Sequence, residues 1–241
     1  MKILCIGDVH NKPAMFDRAD KILESGQADR AIQMGDILDD FGQELNIALY
    51  VRTLERANQF QKDFPSTLWI LSNHDQGYWY PNLGVKESGH STLAEAAVFS
   101  LLKELERHGG VQKIMHVIDG CIFTHAGLTM DWVARHTPSD ANWNNELEFV
   151  QDLANSATPQ DLWEEDSPIW ARPQMDGDDL YPAKLQITGH TPVKKLGIYG
   201  GCLSTDTFST YSDGKPYGDR KFAIVDTETG EWEVAKEDET T

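Results

Sequence analysis

The sequence predicts an α/β sandwich, two central sheets packed together and flanked by helices. Short β-type runs alternate with helical stretches up to about residue 110, an order that pairs strands in parallel and lays helices on the sheet faces. Beyond that point strands follow one another closely between glycine-rich turns, which suits a second, more antiparallel sheet. Short islands of Asp, His and Asn fall where apolar runs give out, placing polar side chains at strand ends, where open α/β sheets bind ligands.

The strands are expected at 2–6, 30–34, 67–71, 112–117, 121–124, 185–188, 195–198 and 222–226. The first helix, 13–25, carries Met15, Phe16, Ala19, Ile22 and Leu23 at helical spacing and stops at Gly26. The second, 45–64, repeats that spacing with Leu45, Leu49, Leu54, Ala57, Phe60 and Phe64 before Pro65. The third, 91–108, opens on Ser91-Thr92, with Glu95 placed for a capping box, and ends at Gly109-Gly110. The stretch 131–182 breaks the rhythm. It holds Trp132, Trp143, Trp163 and Trp170, five prolines, and eleven acids against two arginines from 135 to 182. It is read as a partly helical, cap-like insertion within one domain spanning 1–241. The tail 236–241 is read as frayed.

A chain of 241 residues can bury a sizeable core. Its net charge of −18 gives no electrostatic footprint for duplex nucleic acid or an anionic membrane. Cys5, Cys121 and Cys202 stand singly in apolar runs with no CxxC spacing, which points to buried thiols in a reducing, cytoplasmic compartment. No run of eighteen apolar residues occurs, so no spanning helix is expected.

The islands read Gly7-Asp8-Val9-His10, Gly35-Asp36-Ile37-Leu38-Asp39, Asn73-His74-Asp75, Thr124-His125-Ala126-Gly127 and Gly189-His190-Thr191-Pro192. Oxygen and imidazole donors delivered from successive strand ends are what a pair of hard or borderline divalent cations requires. Asp8 and His10 are two apart and can grip one cation from one side of a strand. Asp36 has two oxygens and could bridge two cations roughly 3.5–4 Å apart. Asn73, His125 and His190 supply neutral donors for the second. Two dications against Asp8, Asp36 and a hydroxide leave a net positive site, suited to an incoming phosphate.

In this order the motifs resemble the calcineurin-like metallophosphoesterase superfamily, from Gly7 to at least Asp206. The Gly-His-Thr-Pro ending, Ile169-Trp170-Ala171-Arg172-Pro173 and Ser204-Thr205-Asp206-Thr207 are similar to its phosphoprotein phosphatase and diadenosine tetraphosphatase branch. The resemblance implies a four-layer α/β/β/α sandwich of two mixed sheets. It implies that Asp8, His10 and Asp36 hold one metal, and that Asp36, Asn73, His125 and His190 hold the other. Manganese is the first expectation, with iron or zinc as alternatives. His74 would be the general acid, polarised by Asp75, and Arg172 would grip the substrate phosphate alongside Asn73. Asp39 and Asp206 would stand behind the ligands, Asp206 orienting a ligand histidine. Three departures accompany the likeness. Ser72 replaces the customary Gly before Asn73, Asp40 and Leu71 occupy places where this branch carries arginines, and Asn11 follows His10 where Gly is usual.

The expected activity is hydrolysis of a phosphate monoester, on a phosphoprotein or a small molecule. The alternatives are a dinucleoside polyphosphate hydrolase, with Tyr78, Trp79 and Tyr80 stacking on a nucleobase, and a non-catalytic metal-binding scaffold. His90, His108, His116 and His136 match no motif and are read as structural. Oligomeric state is not legible.

Overall fold

The computed structural model describes residues 1–141, 145–177 and 179–237. Trp143 and the end of the expected frayed tail lie outside the described residues. Among the described residues eleven strands form two sheets. The first comprises β1 (Lys2–Ile6), β2 (Arg30–Gln33), β3 (Leu68–Ile70), β4 (Gln112–Lys113), β10 (Ala223–Asp226) and β11 (Trp232–Val234), in the order β11-β10-β1-β2-β3-β4. β1 through β4 run parallel, while β10 and β11 are antiparallel additions. The second sheet comprises β5 (Met115–Ile118), β6 (Cys121–Thr124), β7 (Leu185–Thr188), β8 (Gly197–Tyr199) and β9 (Cys202–Ser204), in the order β5-β6-β7-β9-β8. β6, β7 and β9 are parallel, and the outer strands β5 and β8 are antiparallel.

Strand alternation builds three cores. Ile3 and Cys5 of β1 turn inward and meet Cys121 and Phe123 of β6, Ile187 and Leu203 between the sheets. Leu4 and Ile6 turn outward, against Met15, Phe16 and Ala19 of α1 (Ala14–Glu24), Tyr50, Leu54 and Phe60 of α2 (Ile47–Asp63), and Val98 and Leu102 of α4 (Glu95–Arg107). On the far side, Met115 and Ile122 meet Trp132 and Val133 of α5 (Met130–His136) and Val150 and Ala154 of α6 (Glu146–Asn155). The result is the four-layer α/β/β/α sandwich. The layers also place the 131–182 stretch. α5 and α6 are the outer helical layer of the second sheet, lying on its face rather than over its strand ends. Only the later part, around Trp170 and Arg172, reaches the pocket described below.

The run expected as one strand at 112–117 is two. Gln112 and Lys113 pair with β3 in the first sheet, and Met115–Ile118 pairs with β6 in the second, so Ile114 carries the chain from one sheet to the other. The capping box expected at the third helix does not form. Ser91 Oγ does accept the Ala94 amide at 3.3 Å, but Glu95 turns to His90 at 3.0 Å and Lys86 at 3.3 Å. One helix, α3 (Asn73–Trp79), was not foreseen. Its N-cap is Ser72, with φ −123° and a side chain that accepts the Asp75 amide. All three cysteines are free and buried, and among the described residues no helix is long and apolar enough to cross a membrane.

Candidate metal centre

Six parallel strands, three from each sheet, end at one place. Asp8 follows β1, Asp36 follows β2, Asn73 follows β3, His125 follows β6, His190 follows β7 and Asp206 follows β9. The first two loops are sewn together by the Asp36 carbonyl, which accepts the Val9 and His10 amides, each at 2.8 Å. Ser72 Oγ accepts the Asp36 amide at 2.8 Å, which ties the third loop to the second. Two glycines make the approach possible. A Cβ on Gly189 would lie 2.0 Å from Asp8 Oδ1, and one on Gly35, at φ +101°, 2.7 Å from His125 Nδ1.

The donor atoms fall into two groups, Asp8/His10/Asp36 and Asp36/His125/His190, each within 4.8 Å. Asp36 belongs to both. Its Oδ2 lies 3.5 Å from His10 Nε2, and its Oδ1 lies 3.4 Å from His125 Nε2. Asn73 Oδ1 stands 3.0 Å from His125 Nε2, completing the second group. This donor set fits divalent cations. Asp8 Oδ1, Asp36 Oδ1 and His190 Nε2 are buried without a hydrogen-bond partner, a costly arrangement unless a ligand occupies it. Two ring orientations are set from behind by backbone carbonyls. His10 Nδ1 meets Asp39 O at 2.6 Å and Leu38 O at 3.1 Å, and His125 Nδ1 meets Met34 O at 2.8 Å. A proton held there leaves Nε2 free as the donor nitrogen.

The electrostatics agree with that use. Burial keeps both His125 and His190 below the usual imidazole range, hence neutral and able to ligate. Burial and the carboxylates of Asp206 and Asp36 push Asp8 well above the ordinary range. Burial works against ionisation of Asp36 too, yet the imidazoles of His125, His74, His10 and His190 hold it below that range. His10, Asn11, Asp36, Asp39 and His190 sit on unusual backbone as a group. φ is +42° at His10, +55° at Asn11, +49° at Asp36, +63° at Asp39 and +62° at His190. Non-glycine residues in this region each cost on the order of 1–3 kcal/mol, which the surrounding fold must supply. Asn11 tolerates this backbone well, as its side-chain type predicts.

Two sequence expectations are corrected. The carboxylate that meets His74 is Asp39, with Oδ2 3.1 Å from His74 Nδ1. Asp75 instead accepts from the Ile37 amide at 3.2 Å and from Gln112 Nε2 at 2.9 Å. Being adjacent on one helix, His74 and Asp75 point to different sides. Among the described residues Asp206 makes no hydrogen bond to a candidate ligand histidine either. Its oxygens accept from the Ser209 amide at 3.2 Å and the Ser209 hydroxyl at 2.9 Å, while its charge bears on Asp8.

A cleft of about 230 Å³ opens over the two groups, lined by His10, Asp36, Asn73, His74, Arg172 and His190 among others. Arg172 Nη1 reaches Thr191 Oγ1 at 3.4 Å, and no ion pair of Arg172 occurs among the described residues. Asp40 is occupied by Lys12 at 3.0 Å and Thr210 at 2.6 Å, and Leu71 is buried in the core of the second sheet. Trp170, within the expected cap-like insertion, lines the cleft, its ring 5.7 Å from that of His190. Tyr78 is buried and Trp79 packs on Phe99 and Lys103, so neither lines the cleft. Of the other histidines, His90 and His136 stack on Tyr78 and Trp132.

The chain's residues 1–204 match the family model of the calcineurin-like phosphoesterases. The chain belongs to that family. A calcineurin-like phosphoesterase is a phosphoric ester hydrolase, and the family uses a dinuclear metal centre. No curated protein matches the chain by sequence. Among solved structures it is similar to a protein serine/threonine phosphatase from Saccharomyces cerevisiae described as similar to human phosphatase PP5. The two are 14% identical with a TM-score of 0.55, covering 100% of this chain and 81% of that one. That likeness supports the fold of this calcineurin-like phosphoesterase. A metallophosphoesterase from Sphaerobacter thermophilus is 16% identical over 79% of this chain and 60% of its own length. Its TM-score of 0.38 adds nothing to the fold.

Proposed function

We propose that this calcineurin-like phosphoesterase hydrolyses phosphate monoesters, of phosphoproteins or small molecules, at the cleft over Asp36. The observation that carries the reading is Asp36 shared between two donor groups, beneath a cleft that also presents Arg172 and His74. Asp8, His10 and Asp36 would hold one divalent cation, and Asp36, Asn73, His125 and His190 the other, with manganese, iron or zinc all compatible with nitrogen and oxygen donors. Bound cations supply the positive charge that polarises a phosphoryl group and acidifies a water.

The chain's own residues do the rest. The Arg172 guanidinium can engage two phosphate oxygens at once. His74, with Nδ1 at Asp39, turns Nε2 toward Asp36 at 4.0 Å, where it can give a proton to the departing oxygen. In the metal-free protein Asp36 and Asp39, working against burial, raise His74 to about 9. Pro192 closes a wall of the cleft, where many members of the superfamily place a further histidine. Since the Tyr78-Trp79 pair is packed elsewhere, a nucleobase would have to find Trp170 or Phe41 instead. A panel of p-nitrophenyl phosphate, bis-p-nitrophenyl phosphate, a phosphopeptide and a dinucleoside tetraphosphate, assayed with manganese, tests the reading. Preference for the monoesters is expected; a higher kcat/KM for the diester or the dinucleotide would overturn it.

A further inference from the structure

We infer that Tyr78 is a positioning residue for His74, acting through Asp39. The inference rests on His74 being the proton donor proposed above. Tyr78 lies four residues after His74 on α3, hence on the same face of the helix. Its hydroxyl donates to Asp39 Oδ1 at 2.6 Å, and the other oxygen of that carboxylate takes His74 Nδ1 at 3.1 Å. Asp39 is itself buried, at φ +63°, so nothing in solvent can hold it in that pose.

The hydroxyl is aimed by its surroundings. The Ser91 amide donates to it at 2.9 Å, leaving its own proton for Asp39. The Tyr78 ring stacks on His90 at 4.3 Å, and His90 is held by Glu95 at 3.0 Å. Gly89, next to His90 in the chain, packs so tightly on the Asp39–Asp40 backbone that a Cβ there would lie 2.9 Å from the Asp40 nitrogen, and its carbonyl accepts the Tyr50 hydroxyl. Burial and the Asp39 charge push the Tyr78 phenol upward, so it stays a donor throughout the neutral range. With both Asp39 oxygens engaged as acceptors, the His74 proton at Nδ1 is pinned. The other ring nitrogen is then the one that faces the cleft. Removing the hydroxyl frees Asp39 to rotate and lets the imidazole drift, as supporting hydrogen bonds around catalytic groups commonly do.

Tyr78→Phe keeps the stack and deletes only the hydroxyl. We would measure it with His74→Asn and the double variant on p-nitrophenyl phosphate and an alkyl phosphate, with metal content alongside. The expected result is a loss of about tenfold in kcat on the alkyl ester, far less on the aryl ester, and unchanged KM and metal content. The double variant should be no slower than His74→Asn alone. Wild-type selectivity in Tyr78→Phe, or losses that multiply in the double variant, overturns the role. The His74 Nδ1–H resonance of the metal-free protein gives a readout independent of turnover, and it should exchange faster in Tyr78→Phe; an unchanged rate also overturns the role. If His74→Asn slows both esters equally, the proton-donor reading fails, and that resonance still decides whether Tyr78 holds the ring.

Discussion

Arg172 lines the cleft and, in the function proposed, would grip the substrate phosphate, because Asp40 and Leu71 replace arginines that relatives of this type carry, and Asp40 is already paired with Lys12. Arg172→Ala should therefore lower kcat/KM by about 10–100-fold with metal content unchanged, and Arg172→Lys should recover only part, since an ammonium lacks the two-pronged fork. Unaltered kcat/KM in Arg172→Ala would show that the phosphate is gripped elsewhere. At this scale the candidate donors that the structure gathers were legible because each is a polar side chain placed at the end of an apolar run. Their supports were not. The carbonyls of Met34, Leu38 and Asp39, which aim His125 and His10, carry no side-chain signature. The partner of His74 was misread as its neighbour Asp75, because the helix that turns the two apart was not foreseen.

The element that decides this is α3. Ser72 Oγ accepts the Asp75 amide at 3.2 Å and the Asp36 amide at 2.8 Å, so one hydroxyl starts the helix and fastens the second metal loop to the third. The customary glycine could do neither. Ser72→Ala should cost about 1–2 kcal/mol in urea unfolding of the metal-free protein, through the lost cap and an unsatisfied buried amide; a cost near zero would mean that the loops hold without it. Ser72-Asn73-His74-Asp75 reads, in hindsight, as a helix start, but seven residues give too little periodicity to reveal α3. The split of the 112–117 run had no local signal at all. Both halves are β-type, and only the partners, β3 and β6, differ.

For the whole molecule, the two mixed sheets and their helical flanks followed from element order, whereas the role of 131–182 did not. Its tryptophans, prolines and acids looked like a lid, yet Trp132 of α5 lies in the core between the second sheet and its helices, and among the described residues of the stretch only Trp170 and Arg172 line the cleft. Gathering so many ionisable groups into one buried place gives the metal-free protein a pH signature. His74 rises from 6.5 to about 9, with Asp36 and Asp39 outweighing burial. Between those values the folded state holds a proton that the unfolded state has lost, so stability is full below about pH 6.5 and falls as pH rises through 9. His125 and His190, held low, are neutral in both states over that window and contribute no slope. Thermal melts of metal-free protein should therefore decline from pH 7 to 9, and the decline should be shallower in His74→Asn, with the raised Asp8 contributing the remainder; a slope unchanged by that substitution would place its origin in other groups.

Underlying all of this is one carboxylate common to two donor groups. Metal content per chain, measured by mass spectrometry on wild type and on Asp36→Asn after loading and desalting, addresses it most directly. Two ions per chain in the wild type and fewer than one in the variant are expected, with turnover abolished. A wild type that retains no more than one ion, or a variant that keeps both, would contradict the account.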